Sequence, residues 1–132
     1  MPAHFEDLQI GMVAPLGQMA VDPARLQAFV DAYAPGWRVE QGAPDAMVYA
    51  IWSRLEDDAA KAWPQLKRLG VDALRWARNP PAGELLRGRM TVMGLDPVGA
   101  SKGIVIAQHD LLDEDGRLVF SCLTRTLFAC RG

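Results

Sequence analysis

The chain has 132 residues, of which half are hydrophobic and 23% are charged, and its formal net charge at pH 7 is −2. This balance is typical of a globular domain and excludes a disordered or fibrous chain. The charge gives no general attraction to nucleic acid or to an anionic membrane, so we expect neither as a partner. No apolar run reaches the roughly 20 residues that span a bilayer, and the N-terminal residues lack the pattern of a secretory signal. We therefore predict one domain over residues 1–132 and a soluble, cytoplasmic protein.

The first half of the chain is predicted to be mainly helical. "MVAPLGQMA", residues 12–20, is a candidate edge strand. Asp22 and Pro23 then provide the N-cap and the first residue of a short amphipathic helix that ends before Pro35. A second helix is predicted over "PDAMVYAIWSRLEDDAAKAW", residues 44–63. Its first half is apolar on every side, which is typical of a buried helix, and its charged second half is expected to emerge into solvent.

After about residue 72, apolar residues alternate with polar ones, which predicts strands. The candidate strands are "DALRWARN", "ELLRGRMTVM", "GIVIAQHDLL" and "RLVFSCLTRTLFAC". Pro80, Pro81 and Gly83 mark a turn between the first two, and Asp115-Gly116 marks a tight hairpin between the last two. Two helices followed by antiparallel strands predict an α+β domain, in which a curved sheet wraps around the one helix that is apolar enough to be buried.

Few residues of the chain are suited to metal or redox chemistry. Cys122 and Cys130 have no companion His or Cys at zinc spacing, so we predict that both are reduced packing residues. His4 and His109 are the only histidines, which excludes a three-histidine metal site within one chain. We therefore expect no metal and no cofactor.

Several segments, taken in order, resemble the MaoC-like dehydratase family, which includes (R)-specific enoyl-CoA hydratases. "FEDLQIGMVAPLG" is similar to the opening segment of that family and "LQAFVDAYA" to its first helix. "QGAPDAMVYAIWSRL" resembles its glycine-led central helix, and "LRWARNPPAGELLRGRMTV" and "DEDGRLVFSCLTRTLF" resemble the strands that follow. The resemblance implies an α+β hot-dog fold, with a curved antiparallel sheet around one long central helix. It also implies hydration of an enoyl thioester, or the reverse dehydration, on coenzyme A or an acyl carrier protein.

The acid-base pair of that family has no counterpart in this chain. The family carries it in a segment resembling Gly-Asp-x-x-x-x-His just after the first helix, where the Asp and His activate water and move a proton next to the carbonyl. Here the Asp would fall near Ala34 and the His near Val39 or Glu40, and neither residue type is present. The stretch from Ala34 to Gly42 is also shorter than the usual catalytic loop. The resemblance therefore predicts a divergent member with a degenerate active site.

Two carboxylates remain as candidate catalytic residues. Some thioesterases with the hot-dog fold use an acidic residue close to the central helix, and here Asp45 starts that helix while Glu40 lies on the loop before it. Asp45 also has a simpler explanation, because an N-terminal carboxylate stabilises a helix by about 0.3 to 1 kcal/mol without any catalytic role.

The candidate binding residues lie on the short stretch and after it. The substrate-binding candidates are Trp37, Arg38, Gly42, Ala43 and Met47. Gly42 matches the helix-leading glycine of the family, and the amides after it are expected to receive the thioester carbonyl, since helix N-termini bind partial negative charge. The candidates for contacts with the phosphates of coenzyme A are Arg68, Arg75 and Arg78, for which an ordinary exposed basic face is the alternative.

These observations leave three functions open. The first is a divergent MaoC-like protein that binds acyl or enoyl thioesters, either as a non-catalytic protein or as the helper subunit of a hydratase with an intact second chain. The alternative is an enzyme in its own right, for which an enoyl-CoA hydratase with relocated groups is favoured over a thioesterase that uses Asp45 or Glu40. The third is a structural dimer without a ligand. We predict a homodimer because hot-dog domains pair through their sheets, and the helper role adds a hetero-oligomer with a catalytic hot-dog subunit.

Overall fold

The computed structural model describes residues 4–131 and contains one five-stranded antiparallel sheet and two α-helices. The strands are Val13–Ala20 (β1), Gln65–Trp76 (β2), Leu85–Val98 (β3), Lys102–Leu112 (β4) and Leu118–Ala129 (β5). The helices are Pro23–Tyr33 (α1) and Asp45–Ala60 (α2), and single 3-10 turns occupy Phe5–Asp7 and Val39–Gln41. The strand order is β1-β3-β4-β5-β2, so the predicted α+β arrangement is confirmed. Neither helix of the described residues is long and apolar enough to cross a membrane.

Helix α2 packs on one face of the sheet and forms the centre of the core. Its buried apolar residues are Met47, Val48, Ile51, Trp52 and Leu55. Alternate residues of β4 are buried as well, which is the pattern of a strand with one face toward the core. The Trp52 ring meets the Phe120 ring of β5 with a centroid distance of 6.0 Å. Each large apolar side chain buried here contributes about 1.5 to 3 kcal/mol, so the contact between α2 and the sheet is a main source of stability.

Helix α1 starts where the sequence predicts. The Asp22 carboxylate accepts a hydrogen bond from the Arg25 amide at 2.9 Å, and Pro23 occupies the first helical position. Leu26 and Val30 are the buried residues of this helix, and they lie on one face of it. The local signals of this helix are therefore sufficient to define its start and its buried face.

One of the two expectations for α2 is wrong. The first half is buried on several sides, as expected, although Ala46 and Ala50 are exposed. Glu56, in the half that was expected to be solvated, is only 1% exposed and bonds to Arg68 of β2 at 2.8 Å. The helical period is the reason, because Glu56 follows Trp52 by four residues and points to the same side, where β2 lies.

The strands are longer than their sequence patterns suggest. Strand β2 begins at Gln65, seven residues before the predicted start at Asp72, and β3 continues to Val98 instead of ending at Met93. Irregularities in pairing interrupt β2 in three places, and one interrupts β3 between Val92 and Gly94. Each bulge shifts the alternation of buried and exposed positions, which hides the strand from a period-two pattern.

The two edge strands differ in how they face solvent. Strand β1 carries Pro15 and a bulge before Gly17, and both features discourage pairing with another strand. Strand β2 has no proline, and its exposed apolar side chains are Leu66, Leu69, Leu74 and Trp76. The three irregularities of β2 also discourage addition of a strand, so what this edge offers is its exposed apolar side chains.

The two ends of the described chain are held together. The Arg131 amide donates to the Glu6 carboxylate at 2.9 Å, and its guanidinium donates to Asp7 at 2.6 Å. The Phe5 ring lies directly over Gly103 of β4, where any side chain would overlap the ring. The segment before β1 is thus fixed to the end of the last strand.

Candidate functional site

The short loop between α1 and α2 is closed by its own hydrogen bonds. The Trp37 indole N–H donates to the Gly42 carbonyl oxygen at 2.9 Å, which folds the loop back on itself. Gly42 has φ +94° and ψ −168°, a conformation that is essentially restricted to glycine. A Cβ atom at this position would lie 2.5 Å from the carbonyl oxygen of Asn79, in the turn before β3. Gly42 is therefore required for the close approach of two backbone segments.

The amides expected to hold a thioester carbonyl are only partly available. The Gly42 N–H donates to the Val39 carbonyl at 3.1 Å, and the Ala43 N–H donates to the Pro80 carbonyl at 2.8 Å. Pro44, the N-cap of α2, has no N–H to offer. In residues 4–131, the first amides of this segment without an acceptor are those of Asp45 and Ala46, which open the helix. The available donors thus lie three and four residues after Gly42.

The two candidate catalytic carboxylates are exposed, and they have different surroundings. Asp45 accepts from the Asn79 side-chain amide at 3.0 Å, and its backbone oxygen accepts from the Trp76 indole at 2.9 Å. Asp45 therefore faces the end of β2, on the same side of α2 as Trp52. Glu40 lies on the 3-10 turn, and its side chain has no hydrogen-bond partner within the described chain. The side chain of Arg38, two residues earlier, has none there either.

Two of the three candidate phosphate-binding arginines are already bonded to carboxylates. Arg68 binds Glu56 and Asp57, and Arg78 donates to Glu84 and to Asp113. These hydrogen bonds to Glu84 and Asp113 raise the pKa of Arg78 and hold its guanidinium between two turns. Arg75 is exposed and has no ion-pair partner among the described residues. Of the three, only Arg75 offers its charge to a ligand.

A groove with a volume of about 220 Å³ runs between α1 and α2. Its lining residues are Met19, Arg25, Phe29, Met47, Ala50, Ile51 and Arg54. The floor is apolar, and the two arginines are the only charged residues in the lining. Met47 is the one predicted substrate-binding residue that it contains. This combination of an apolar surface with a few polar groups is typical of a small-molecule site.

The groove was not apparent from the sequence, although its residues share helical spacings. On α2, Met47, Ile51 and Arg54 recur at intervals of four and three, which places them on one side of the helix. Asp45 shares the opposite side with Trp52, so this carboxylate does not face the groove. Two other depressions are larger, at about 480 and 510 Å³, and they lie beside Trp63 at the end of α2 and beside Arg87 on the sheet. Neither involves the first two turns of α2.

No Asp-His pair borders the groove in the described part of the chain. His109 is 1% exposed, bonds to the Thr124 hydroxyl at 2.9 Å and meets the edge of the Trp52 ring. Burial, with a smaller contribution from the charge of Arg68, lowers its pKa to about 3, against an opposing effect of Asp110. His4 lies near Asp7 at the start of the described chain. His109 is therefore a neutral core residue and is not placed to move a proton in the groove.

The cysteines lie away from the groove as well. Cys122 is buried next to His109 in the register of β4 and β5, and burial raises its thiol pKa to about 12. Cys130 is partly buried, and neither residue forms a disulfide. A thiol with so high a pKa is a poor nucleophile, which agrees with a packing role for Cys122.

The burial of His109 predicts how the free energy of unfolding changes at acid pH. Its pKa is lower in the folded state than the ordinary 6.5, so its contribution to stability is complete above about pH 6.5 and is lost as the pH falls toward 3. We expect the free energy of unfolding of His109→Gln to decline less steeply than that of the wild type over this range. Urea titrations at several pH values measure the two slopes. His4→Gln, which replaces the other histidine of the chain at a partly exposed position, is the control; equal slopes for His109→Gln and the wild type would contradict the assignment.

Comparisons with known proteins show a likeness in structure and none in sequence. No protein-family profile matches the chain, and no curated protein sequence matches it. A MaoC-like dehydratase from Rhodospirillum rubrum superposes with a TM-score of 0.83 at 21% identity, and the match covers 99% of both chains. RV0216 from Mycobacterium tuberculosis, which has a double hot-dog fold, matches with a TM-score of 0.77 at 19% identity over 97% of this chain and 44% of its own. This chain has the hot-dog fold.

The likeness in fold extends to a chain of an enzyme complex. The HadBC (3R-hydroxyacyl-ACP dehydratase) complex from Mycobacterium tuberculosis matches with a TM-score of 0.66 at 16% identity, over 89% of this chain and 96% of the matched one. At these identities the hot-dog fold is what the comparisons establish, and the chemistry of the site has to be argued from its own residues.

Proposed function

We propose that this hot-dog protein binds acyl or enoyl thioesters in the groove between α1 and α2. The observation that carries the proposal is the groove itself, an apolar channel that starts near the first turn of α2, where two backbone amides have no acceptor. An acyl chain fits the apolar floor, and partial negative charge on the thioester oxygen is favoured near a helix N-terminus. Coenzyme A or an acyl carrier protein is the proposed carrier.

The same proposal holds that the chain does not hydrate its ligand alone. Hydration of an enoyl thioester requires an acid and a base on the two reacting positions, and the groove has neither an Asp-His pair nor another carboxylate in its lining. The catalytic groups are then supplied by a second, intact hot-dog subunit. The HadBC dehydratase, which this chain resembles in fold, is a complex, and the exposed apolar residues of β2 provide a surface on which either a second copy or such a subunit can pack.

The direct test is mass spectrometry of a mixed pool of saturated and enoyl-CoA thioesters after incubation with the purified protein. We expect the pool to be unchanged, with turnover only when a catalytic hot-dog subunit is added. Gain of one water by the enoyl species would show a hydratase with relocated groups and would overturn the helper role.

A second candidate function is hydrolysis of the thioester by Asp45. The favouring observation is that this exposed carboxylate lies at the same helix end as the two free amides. Against it, Asp45 is bonded to Asn79 on the side of α2 that faces away from the groove. Release of free coenzyme A in the same experiment, abolished by Asp45→Asn, would replace the binding function with this one.

Filling the groove is expected to prevent binding. Ala50 is exposed within the lining, so Ala50→Phe blocks the channel without disturbing the core. We expect the affinity for hexanoyl-CoA, measured by calorimetry, to fall by about tenfold or more, which corresponds to 1.4 kcal/mol or more. Ala24→Phe places the same side chain on an exposed position of α1 outside the lining and is expected to bind like the wild type. Unchanged affinity of Ala50→Phe would show that the ligand lies elsewhere.

A further inference from the structure

We propose that the groove selects acyl thioesters whose acyl chain ends in a carboxylate, an inference that rests on the proposed thioester binding. The reason is that an otherwise apolar channel contains two guanidinium groups, on Arg25 and Arg54. A channel for a purely hydrocarbon chain gains nothing from these cations. A chain that ends in an anion is held at both ends.

Arg25 is the freer of the two cations. Its backbone N–H bonds to Asp22, whereas its guanidinium has no acceptor among residues 4–131. A guanidinium presents parallel N–H groups that match the two oxygens of a carboxylate, and such charge-assisted pairs are stronger than neutral hydrogen bonds. Arg25 is therefore the main candidate to recognise the terminal carboxylate.

Arg54 is held in position by its own helix. Its Nε donates to the Asp58 carboxylate at 2.8 Å, and Asp58 also contacts Lys61. Hydrogen bonds from Arg54 and Lys61 lower the pKa of Asp58. The three charges of this cluster sum to +1, so the far end of the groove keeps a positive balance even though Arg54 is paired.

The order of these groups along α2 sets the direction in which the ligand lies in the groove. The free amides of Asp45 and Ala46 come just before Met47, the first residue of α2 in the lining, and Arg54 lies seven residues after Met47, about 10 Å along the helix axis. A thioester at the first turn thus directs its chain toward Arg54, and Arg25 of α1 lines the same groove. The small volume of the groove, below the roughly 300 Å³ at which typical ligand pockets begin, favours a short chain.

The test compares two ligands that differ only at the chain end. Dissociation constants of adipyl-CoA and hexanoyl-CoA are measured by calorimetry for the wild type, Arg25→Met and Arg117→Met. Arg117 is exposed on the turn between β4 and β5, so its replacement controls for the general effect of removing one positive charge. We expect the wild type to bind adipyl-CoA about tenfold more tightly than hexanoyl-CoA. Arg25→Met is expected to lose this preference, because it weakens binding of adipyl-CoA more than binding of hexanoyl-CoA, and Arg117→Met is expected to keep the preference.

Each of the other outcomes would reject either the inference about the terminal carboxylate or the proposed thioester binding. An equal loss for both ligands in Arg25→Met would assign Arg25 to the phosphates of the carrier and reject the inference. Equal affinities of the wild type for adipyl-CoA and hexanoyl-CoA would also reject the inference. If hexanoyl-CoA still bound in that case, the proposed function would stand. Failure of both thioesters to bind would reject the proposed function together with the inference.

Discussion

Replacement of Arg68 by methionine is expected to lower the free energy of unfolding by about 3 to 5 kcal/mol, the range found when one partner of a buried ion pair is removed. Glu56 has only 2% of its side chain exposed and Arg68 has 21%, and their atoms are 2.8 Å apart. The guanidinium also lies over the Trp52 ring, 5.2 Å from its centroid, which adds a cation-π contact. Without Arg68, the Glu56 carboxylate would be buried and unpaired.

The loss should depend on pH in a defined direction. Burial raises the pKa of Glu56 above 4.5, and Arg68 opposes that rise. Because the folded pKa is raised, the contribution of Glu56 is most favourable below pH 4.5 and is lost as the pH rises through the folded pKa. Removing Arg68 raises that pKa further, so the deficit of Arg68→Met is expected to be large at neutral pH and to shrink toward pH 4.5.

Two matched variants control this experiment. Arg125 pairs with Asp72 at 3.5 Å, but both side chains are more than half exposed, so Arg125→Met should cost less than about 1 kcal/mol. In the double variant Glu56→Leu with Arg68→Met no charge remains to be buried, and most of the stability is expected to return. Urea unfolding measures all four proteins. If Arg68→Met cost no more than Arg125→Met, or if the double variant recovered nothing, the pair would not have the assigned role.

Gly42→Ala is expected to have the second large effect, a loss of about 2 to 6 kcal/mol that combines backbone strain with overpacking. The new Cβ would meet the carbonyl oxygens of Asn79 and Pro80, and both belong to backbone that cannot move aside as a side chain can. The strain would fall on the loop that leads into α2, so thermal denaturation should show a lower midpoint even if the fold is kept.

Gly36 in the same loop separates the two contributions. Its φ of +98° is close to the +94° of Gly42, yet a Cβ at Gly36 would have no atom within 4 Å. Gly36→Ala should therefore cost only the backbone strain of about 1 to 3 kcal/mol. Equal losses for Gly36→Ala and Gly42→Ala would mean that the contact with the turn at Asn79 does not constrain the loop.

The parts of the fold that follow from short stretches of sequence were predicted well. The Asp22 cap and Pro23 define the start of α1, and Asp115-Gly116 defines the last hairpin, because each signal acts within a few residues. The central position of α2 was also predicted, since no other segment was apolar enough to cover the sheet.

The parts that depend on distant segments were not predicted. The burial of Glu56 requires Arg68, twelve residues away on β2, and the irregular pairing of β2 conceals where that strand begins. The groove requires α1 to lie against α2, so the role proposed for Arg25 cannot be recognised from α1 alone. The bonded amides of Gly42 and Ala43 similarly depend on chain segments that only tertiary packing brings together.

The contact of Arg131 with Glu6 and Asp7 has a consequence for chain connectivity. The two ends of the described chain are already neighbours. The ends could therefore be joined, and the chain opened at another place, without a change in the packing of its helices and strands. A short linker across this contact would allow new ends at the exposed turn around Gly116. The same proximity of ends makes the domain easy to insert, as a unit, into a loop of another protein.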